Sequence, residues 1–213
     1  RRVLFRSAIF LVNDDSGKPA ELIAELSERF ATRDQAIQFL EKCKNAGFTI
    51  RDVTMKPAKK SPPPPFTTST LQQEASRKLG YSVSQTMSVA QKLYESGKIT
   101  YMRTDNVNLS DMALGMSKKV ITSVYGEPYH HFRTFKTKSK GAQEAHEAIR
   151  PTYLDQDTIS GSNQEKKLYE LIYKRTLACQ MSDAQIERTT VTINLTNSSE
   201  TFIATGEVVK FDG

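Results

Sequence analysis

Hydrophobic spacing changes character several times along the chain, and each change marks an element. Residues 3–12 are apolar and read as a strand. The cluster Asn13-Asp14-Asp15-Ser16-Gly17 behind them reads as a turn. From Arg33 to Asn45 the spacing becomes helical. Ile37, Phe39, Leu40 and Cys43 fall near one face, Thr32 is placed as the N-cap, and Gly47 ends the run. Phe48 to Met55 alternates as a strand does. Residues 57–65 then read Pro-Ala-Lys-Lys-Ser-Pro-Pro-Pro-Pro. Four consecutive prolines exclude helix and central strand, so this segment is expected to be an extended, semi-rigid linker and a domain boundary.

Beyond the linker the pattern is helical. Thr68 or Ser69 can cap a helix running to about Lys78, stopped by Gly80. Ser82 or Ser84 can cap another, running through Met87, Ala90, Leu93 and Tyr94 to Gly97. Two short helices with a tight turn, followed by the strand-like Lys98-Ile99-Thr100-Tyr101, suggest a winged-helix arrangement. Ser110 is placed to cap a third helix ending near Tyr125-Gly126. Residues 127–141 are loop-like and basic, with Lys136, Lys138 and Lys140 alternating. Ala142 to Ile149 reads as a short helix stopped by Pro151, and Gln164 to Met181 as a longer one carrying Leu168, Leu171, Ile172 and Ala178. Residues 186–195 and 201–211 alternate across Asn197-Ser198-Ser199 as a hairpin does. The expected fold class is α+β. A strand-rich domain, 1–65 with 183–213, carries an inserted, mainly helical, winged-helix-like domain, 66–182.

Composition narrows the class. Hydrophobic residues make up 38% and charged residues 25%, a soluble globular balance, and no apolar stretch approaches a membrane span. The first twelve residues imitate a signal peptide only superficially, because Arg6 interrupts the apolar run and no small-residue cleavage site follows. Cys43 and Cys179 lie far apart with no partner at metal-ligand spacing, which favours two buried thiols and the reducing cytoplasm. The net charge is +6. It divides as +4 over residues 1–65, +5 over 66–182 and −3 over 183–213, so the first two segments are the ones that would attract a polyanion. The first residue is not Met, and the chain ends on a strand entering a turn, so an excised piece of a longer protein is expected.

Candidate chemistry centres on Tyr101-Met102-Arg103-Thr104-Asp105. A phenol is a poor nucleophile at neutral pH because it is mostly protonated. A neighbouring cation favours the phenolate and also holds a phosphate. In an extended segment Tyr101 and Arg103 project to one face, where a single phosphodiester could meet both. Taken alone the triplet is weak, since most such tyrosines are half-buried beside solvated arginines. Gln91 and Glu95, spaced i and i+4, share one face of their helix.

Three flanking blocks change the odds. They are Pro65-Phe66-Thr67-Thr68-Ser69-Thr70-Leu71-Gln72-Gln73-Glu74-Ala75, Ala90-Gln91-Lys92-Leu93-Tyr94-Glu95-Ser96-Gly97, and Ala142-Gln143-Glu144-Ala145-His146-Glu147-Ala148-Ile149-Arg150-Pro151-Thr152. With Tyr101 to Asp105 between them, these blocks resemble the bacterial type IA DNA topoisomerases in order and spacing, over roughly residues 57–182. Lys210-Phe211-Asp212-Gly213 is also similar to the family. Met102 after the tyrosine resembles the topoisomerase I branch, and Asn106 stands where the family usually has Ser.

The resemblance implies an enzyme that relaxes negatively supercoiled DNA by transient single-strand cleavage and strand passage. Tyr101 matches the nucleophile that forms a 5′-phosphotyrosine. Arg103 matches the arginine that positions the scissile phosphate, and His146 the histidine on the nearby backbone. Gln91, Glu95, Thr104 and Asp105 match polar positions around the site. The strand-rich domain would be the family's β arch, swinging at the proline linker and near residue 183. The family's metal-binding domain, with its Glu and Asp-x-Asp-x-x-Gly run, is not found here. This piece is therefore expected to bind no cofactor and to be inactive alone, with Mg²⁺ expected for the full enzyme. Its implied partners are single-stranded DNA and the missing metal-binding domain of the same polypeptide, with no membrane.

Rival readings remain at this point. His146 and Glu95 could be ordinary surface residues, Arg150 a brace for the short helix, and the Lys136, Lys138, Lys140 run a solvated loop. The whole could be a non-catalytic winged-helix DNA-binding module, or a structural piece of a larger enzyme. A tyrosine recombinase fragment fits less well, because its nucleophile follows its arginine and histidine motifs whereas Tyr101 precedes His146.

Overall fold

The computed structural model describes residues 7–13, 16–135, 147–196 and 198–213. Helices and an antiparallel sheet divide between two compact units, one drawn from Arg1–Lys59 with Ala184–Asp212 and the other from Lys60–Asp183.

The first unit is a five-stranded sheet in the order β1-β2-β5-β4-β3. Its elements are β1 (Ser7–Asn13), β2 (Pro19–Leu26), α1 (Arg33–Lys44), β3 (Phe48–Lys60), β4 (Ala184–Leu195) and β5 (Thr201–Phe211). β1 and β2 pair antiparallel with Ile9 opposite Ile23, and β4 and β5 with Ile193 opposite Phe202. Alternation decides the core: Phe202 and Ala204 of β5 are buried with Ala24, Leu26, Ile193, Leu195 and Phe39 of α1. Phe10 and Phe39 both pack on Phe202, at ring separations of 5.7 and 6.0 Å. Thr32 caps α1 in a full capping box with Gln35.

β2 is not announced by its residues. Pro-Ala-Glu-Leu-Ile-Ala-Glu-Leu is rich in helix formers, and the backbone pairing offered by β1 and β5 overrides that preference. β3 also runs past Met55 through Pro57 to Lys60, so the first four residues of the expected linker are strand. Its place at the sheet edge is what tolerates a residue without an N–H.

In the second unit, α2 (Thr68–Leu79), α3 (Val83–Glu95) and α5 (Asn163–Ala178) enclose a core, while α4 (Asp111–Val124) packs through Ile121 on Leu154 and Leu177. That core includes Phe66, Leu71, Val89, Leu93, Met102, Ile149, Leu168 and Ile172. Ser82, Ser110 and Ser162 cap α3, α4 and α5. The cap of α2 is Thr67, one residue before the expected position, in a capping box with Thr70.

The expected helix over Ala142–Ile149 is corrected where it is described. Residues 142–146 lie outside the described residues, and Glu147 to Ile149 are extended. The Ala148 N–H donates to the Asn108 carbonyl and the Ile149 N–H to the Phe66 carbonyl, so both are engaged across the chain rather than along it.

Candidate functional site

Tyr101 is delivered by the way α3 stops. The Lys98 N–H donates to the Leu93 carbonyl and the Gly97 N–H to the Tyr94 carbonyl, both at 2.8 Å. Gly97 has a φ of +68°. This is a Schellman closure, which needs a left-handed residue and so favours glycine. The chain then turns into a short ladder. The Thr100 N–H donates to the Arg150 carbonyl at 2.9 Å, the Thr152 N–H to the Lys98 carbonyl at 3.0 Å, and Ile99 bridges Pro151.

From there the side chains alternate strictly. Met102 (1% exposed), Thr104 (9%) and Asn106 (4%) point inward, while Tyr101 (37%), Arg103 and Asp105 point out. Burial therefore alternates with a period of two through this segment, although the chain bends at Met102 and Arg103 and joins no sheet. Thr68, the first residue of α2, holds it there. Its hydroxyl donates to the Met102 carbonyl at 2.8 Å and accepts from the Thr104 N–H at 2.9 Å, and its own N–H donates to the Thr104 carbonyl at 2.9 Å.

Thr100 makes a similar clamp on the other side, donating to the Ala148 carbonyl at 2.7 Å and accepting from the Arg150 N–H at 2.9 Å. Thr104 Oγ1 accepts the Asn106 N–H, and Asn106 Oδ1 accepts the Asn108 N–H. Inward polar groups are thereby satisfied, which buried groups require. The outward face is left to Tyr101, Arg103 and Asp105.

α3 borders this face. The Tyr94 ring meets the Tyr101 ring edge-on, with centroids 5.2 Å apart. One turn earlier Gln91 Nε2 donates to Glu95 Oε1 at 2.7 Å, the contact their i, i+4 spacing predicts. Among the described residues Arg103 makes no hydrogen bond or ion pair, so its charge is available to a ligand. Thr104 is inward and structural. His146 lies outside the described residues, as do Lys136, Lys138 and Lys140.

Two contributors escape sequence reasoning. Thr68 reads as a cap, and its clamp depends on a segment 34 residues away. Tyr94 reads as part of a helical face; its only signal is an aromatic ring three residues after Gln91, just ahead of the Gly97 turn.

Arg150 is a brace. It is buried, its guanidinium meets Glu147 at 2.6 Å and the Pro151 carbonyl at 2.9 Å, and Glu147 also accepts the Ser110 N–H at 2.6 Å. Burial pushes the Glu147 carboxyl upward, but the bonds from Arg150 and Ser110 outweigh it and hold the group below its ordinary range. Among the described residues no three His, Cys, Asp or Glu side chains gather as a metal centre needs, so these residues do not fit a Mg²⁺ site by themselves. No helix described is long and apolar enough to cross a membrane.

Comparison with known proteins gives the same direction. A family model described as DNA topoisomerase matches residues 8–213. DNA topoisomerase 1 of Zymomonas mobilis is 47% identical over 185 residues, covering 86% of this chain and 15% of that protein. DNA topoisomerase 1 of Rickettsia felis is 40% identical over 224 residues, covering 99% of this chain and 28% of that protein. The solved structure of full-length topoisomerase I from Thermotoga maritima superposes with a TM-score of 0.73 at 36% identity, covering 98% of this chain and 35% of that one. The chain thus spans well under a third of the curated relatives it matches here.

Proposed function

This chain belongs to the DNA topoisomerase family, and from that membership we propose that it is the tyrosine-bearing part of a type IA enzyme that cuts and reseals one DNA strand. The observation that carries the reading is the alternation at residues 101–106, which exposes Tyr101 and Arg103, an arginine without a partner among the described residues, on a braced segment whose alternate residues are buried.

In the proposed reaction the Tyr101 hydroxyl oxygen attacks the phosphorus of a phosphodiester. A P–O bond to tyrosine forms as the P–O3′ bond breaks, the phenolic proton is lost, and the departing 3′ oxygen takes up a proton. One phosphodiester replaces another, so the step is close to reversible, and attack by the 3′ hydroxyl restores the strand. Arg103 would hold the non-bridging oxygens, where a charge-assisted bond strengthens as negative charge develops. His146 is assigned the neighbouring backbone phosphate, and Gln91, Glu95, Thr104 and Asp105 the polar surround, Thr104 from within. The reading takes single-stranded DNA as substrate, relaxation of negative supercoils as outcome and the cytoplasm as setting. It places Mg²⁺ in a part of the parent polypeptide outside these 213 residues, and no step here is routed through it.

The same reading takes the α2–turn–α3 pair, with the Ile99–Pro151 ladder after it, as a winged-helix-like support. It takes the strand-rich unit as an arch, hinged where the chain crosses near residues 61 and 183. The side chain of Ser61 lies close enough to Asp183 to be the largest influence holding its carboxyl below the ordinary range, so those two crossings are neighbours.

Covalent trapping tests the chemistry. The chain is mixed with labelled single-stranded oligonucleotide and Mg²⁺, with the metal-binding domain supplied separately, and quenched in detergent. A shifted protein–DNA band is expected. Tyr101→Phe should abolish it and Arg103→Ala should weaken it by about 10²-fold, the usual cost of removing one donor to developing charge. A band that survives Tyr101→Phe would overturn the proposal.

A further inference from the structure

A second cationic feature lies on the other side of α2. The C-terminal half of that helix and α5 enclose a cleft of about 550 Å³ lined by Arg77, Lys78, Lys167, Lys174 and Arg175 but by only two carboxylates, Glu74 and Glu170. Three of the cations converge on one acid. Arg77 lies 2.7 Å, Lys78 3.1 Å and Arg175 3.6 Å from the Glu74 oxygens. The Arg77 contact holds the Glu74 carboxyl below its ordinary range. A single carboxylate compensates one charge, so two remain uncompensated within the same few ångströms. Glu170 is taken up by Lys174 at 2.6 Å. Among the described residues Lys167 makes no hydrogen bond or ion pair.

The cluster is held in place rather than merely crowded. The Arg175 guanidinium lies over the Phe66 ring at 4.2 Å and donates to the Pro64 carbonyl at 3.3 Å. It is largely buried and cannot swing away from its neighbours, whereas Arg77, Lys78, Lys167 and Lys174 are exposed. Keeping like charges together against their repulsion, in a concave and partly fixed frame, is what an anion site requires. The charge is also extended. Lys167 and Lys174 stand seven residues apart on α5, about 10 Å along its axis, which suits a chain of phosphates better than one small anion.

The cleft does not belong to the Tyr101 face. Arg77 follows Thr68 by nine residues, about half a turn out of phase on the helix and about 13 Å along it, so the two residues face opposite ways. We propose that this cleft binds the phosphodiester backbone of a second stretch of DNA, separate from the one at Tyr101. The proposal rests on the DNA reading above, and its test separates the two.

Binding of a fluorescent twelve-residue oligothymidine to the 213-residue chain would be followed by anisotropy across a salt series. The variant is Lys78→Gln with Lys167→Gln and Lys174→Gln, all exposed positions. Its match is Lys42→Gln with Lys44→Gln and Arg51→Gln, which removes the same charge from the strand-rich unit. Circular dichroism confirms that both stay folded. The cleft variant should bind about tenfold more weakly, and its slope of log affinity against log salt should fall by about 1.4, the loss of two single-strand phosphate contacts. The matched variant should keep the parent slope. Equal losses in both variants, or none in the cleft variant, overturn the cleft while leaving DNA binding at Tyr101 standing. A parent chain that does not bind the oligonucleotide overturns both. Capture of oligoglutamate with no binding of DNA would assign the cleft to an acidic peptide instead and also overturn it.

Discussion

At the scale of single residues, Glu147 ties three segments together, and its charge is what makes the tie hold. It accepts the Ser110 N–H at the start of α4 and neutralises the buried Arg150, whose backbone pairs with Thr100 beside Tyr101. Its folded carboxyl titrates below the ordinary value of 4.5. A depressed carboxyl contributes stability that is fully present above its unfolded value and is lost as pH falls through the folded one. Glu147→Gln keeps the shape and removes the charge, so at pH 7 it should cost about 1–3 kcal/mol, the range for losing bonds to a charged group. In thermal melts the gap between parent and variant should be constant above about pH 5, within the usual carboxylate range, and close toward pH 3. A gap independent of pH would show that the carboxylate's charge is not what braces Arg150. The outward pairing of Tyr101 with Arg103 was legible in the sequence because it needs only a period of two. The clamps from Thr68 and Thr100 were not, because a hydroxyl reveals nothing about the distant carbonyl it will meet.

At the scale of elements, α2 does two jobs from its first turn. Thr67 satisfies the orphan N–H groups as cap, which leaves the Thr68 hydroxyl free to pin residues 102–104. Thr68→Val keeps the branched shape and strands a buried carbonyl and N–H. It should lower stability by about 1–3 kcal/mol in urea denaturation and cut Tyr101-dependent trapping, whereas Thr68→Ser should retain most of both. Equal behaviour of the two variants would mean that the methyl group, not the hydroxyl, secures the segment. Helices whose caps are side chains followed by a hydrophobic period could be read from the residues to within a few positions, as α1, α3, α4 and α5 are. The failures share one cause. β2 contradicts its own helix-forming composition, and Glu147 to Ile149 leave a helical pattern, because in each case a distant segment (β1 and β5 for β2, Asn108 and Phe66 for Ala148 and Ile149) offers the backbone its hydrogen bonds.

At the scale of the whole molecule, the strand order decides which parts of the chain can fold alone. The segment before the insertion supplies β1, β2 and β3, but β3 is not a neighbour of β2. The hairpin of β4 and β5, made only after the chain has passed through the helical unit, fills the gap, with nine residue pairs of β4 and β5 in continuous register from Ile186–Val209 to Asn194–Thr201 and a register shift before Gln185–Phe211. Its Ile193, Leu195, Phe202 and Ala204 supply more than half of that unit's buried apolar cluster. Residues 1–59 alone would leave β2 and β3 with open edges and Phe39 without Phe202, keeping only Phe30 as its aromatic neighbour. The helical unit has no such debt, since its core and clamps lie between Lys60 and Asp183. Residues 60–183 expressed alone should therefore give a dispersed amide spectrum and one cooperative thermal transition. Residues 1–59 alone should give a collapsed spectrum that disperses only when residues 184–212 are added. Dispersed signals from residues 1–59 by themselves would mean that β1, β2 and β3 find another pairing, and that the later hairpin completes a sheet already formed rather than creating it.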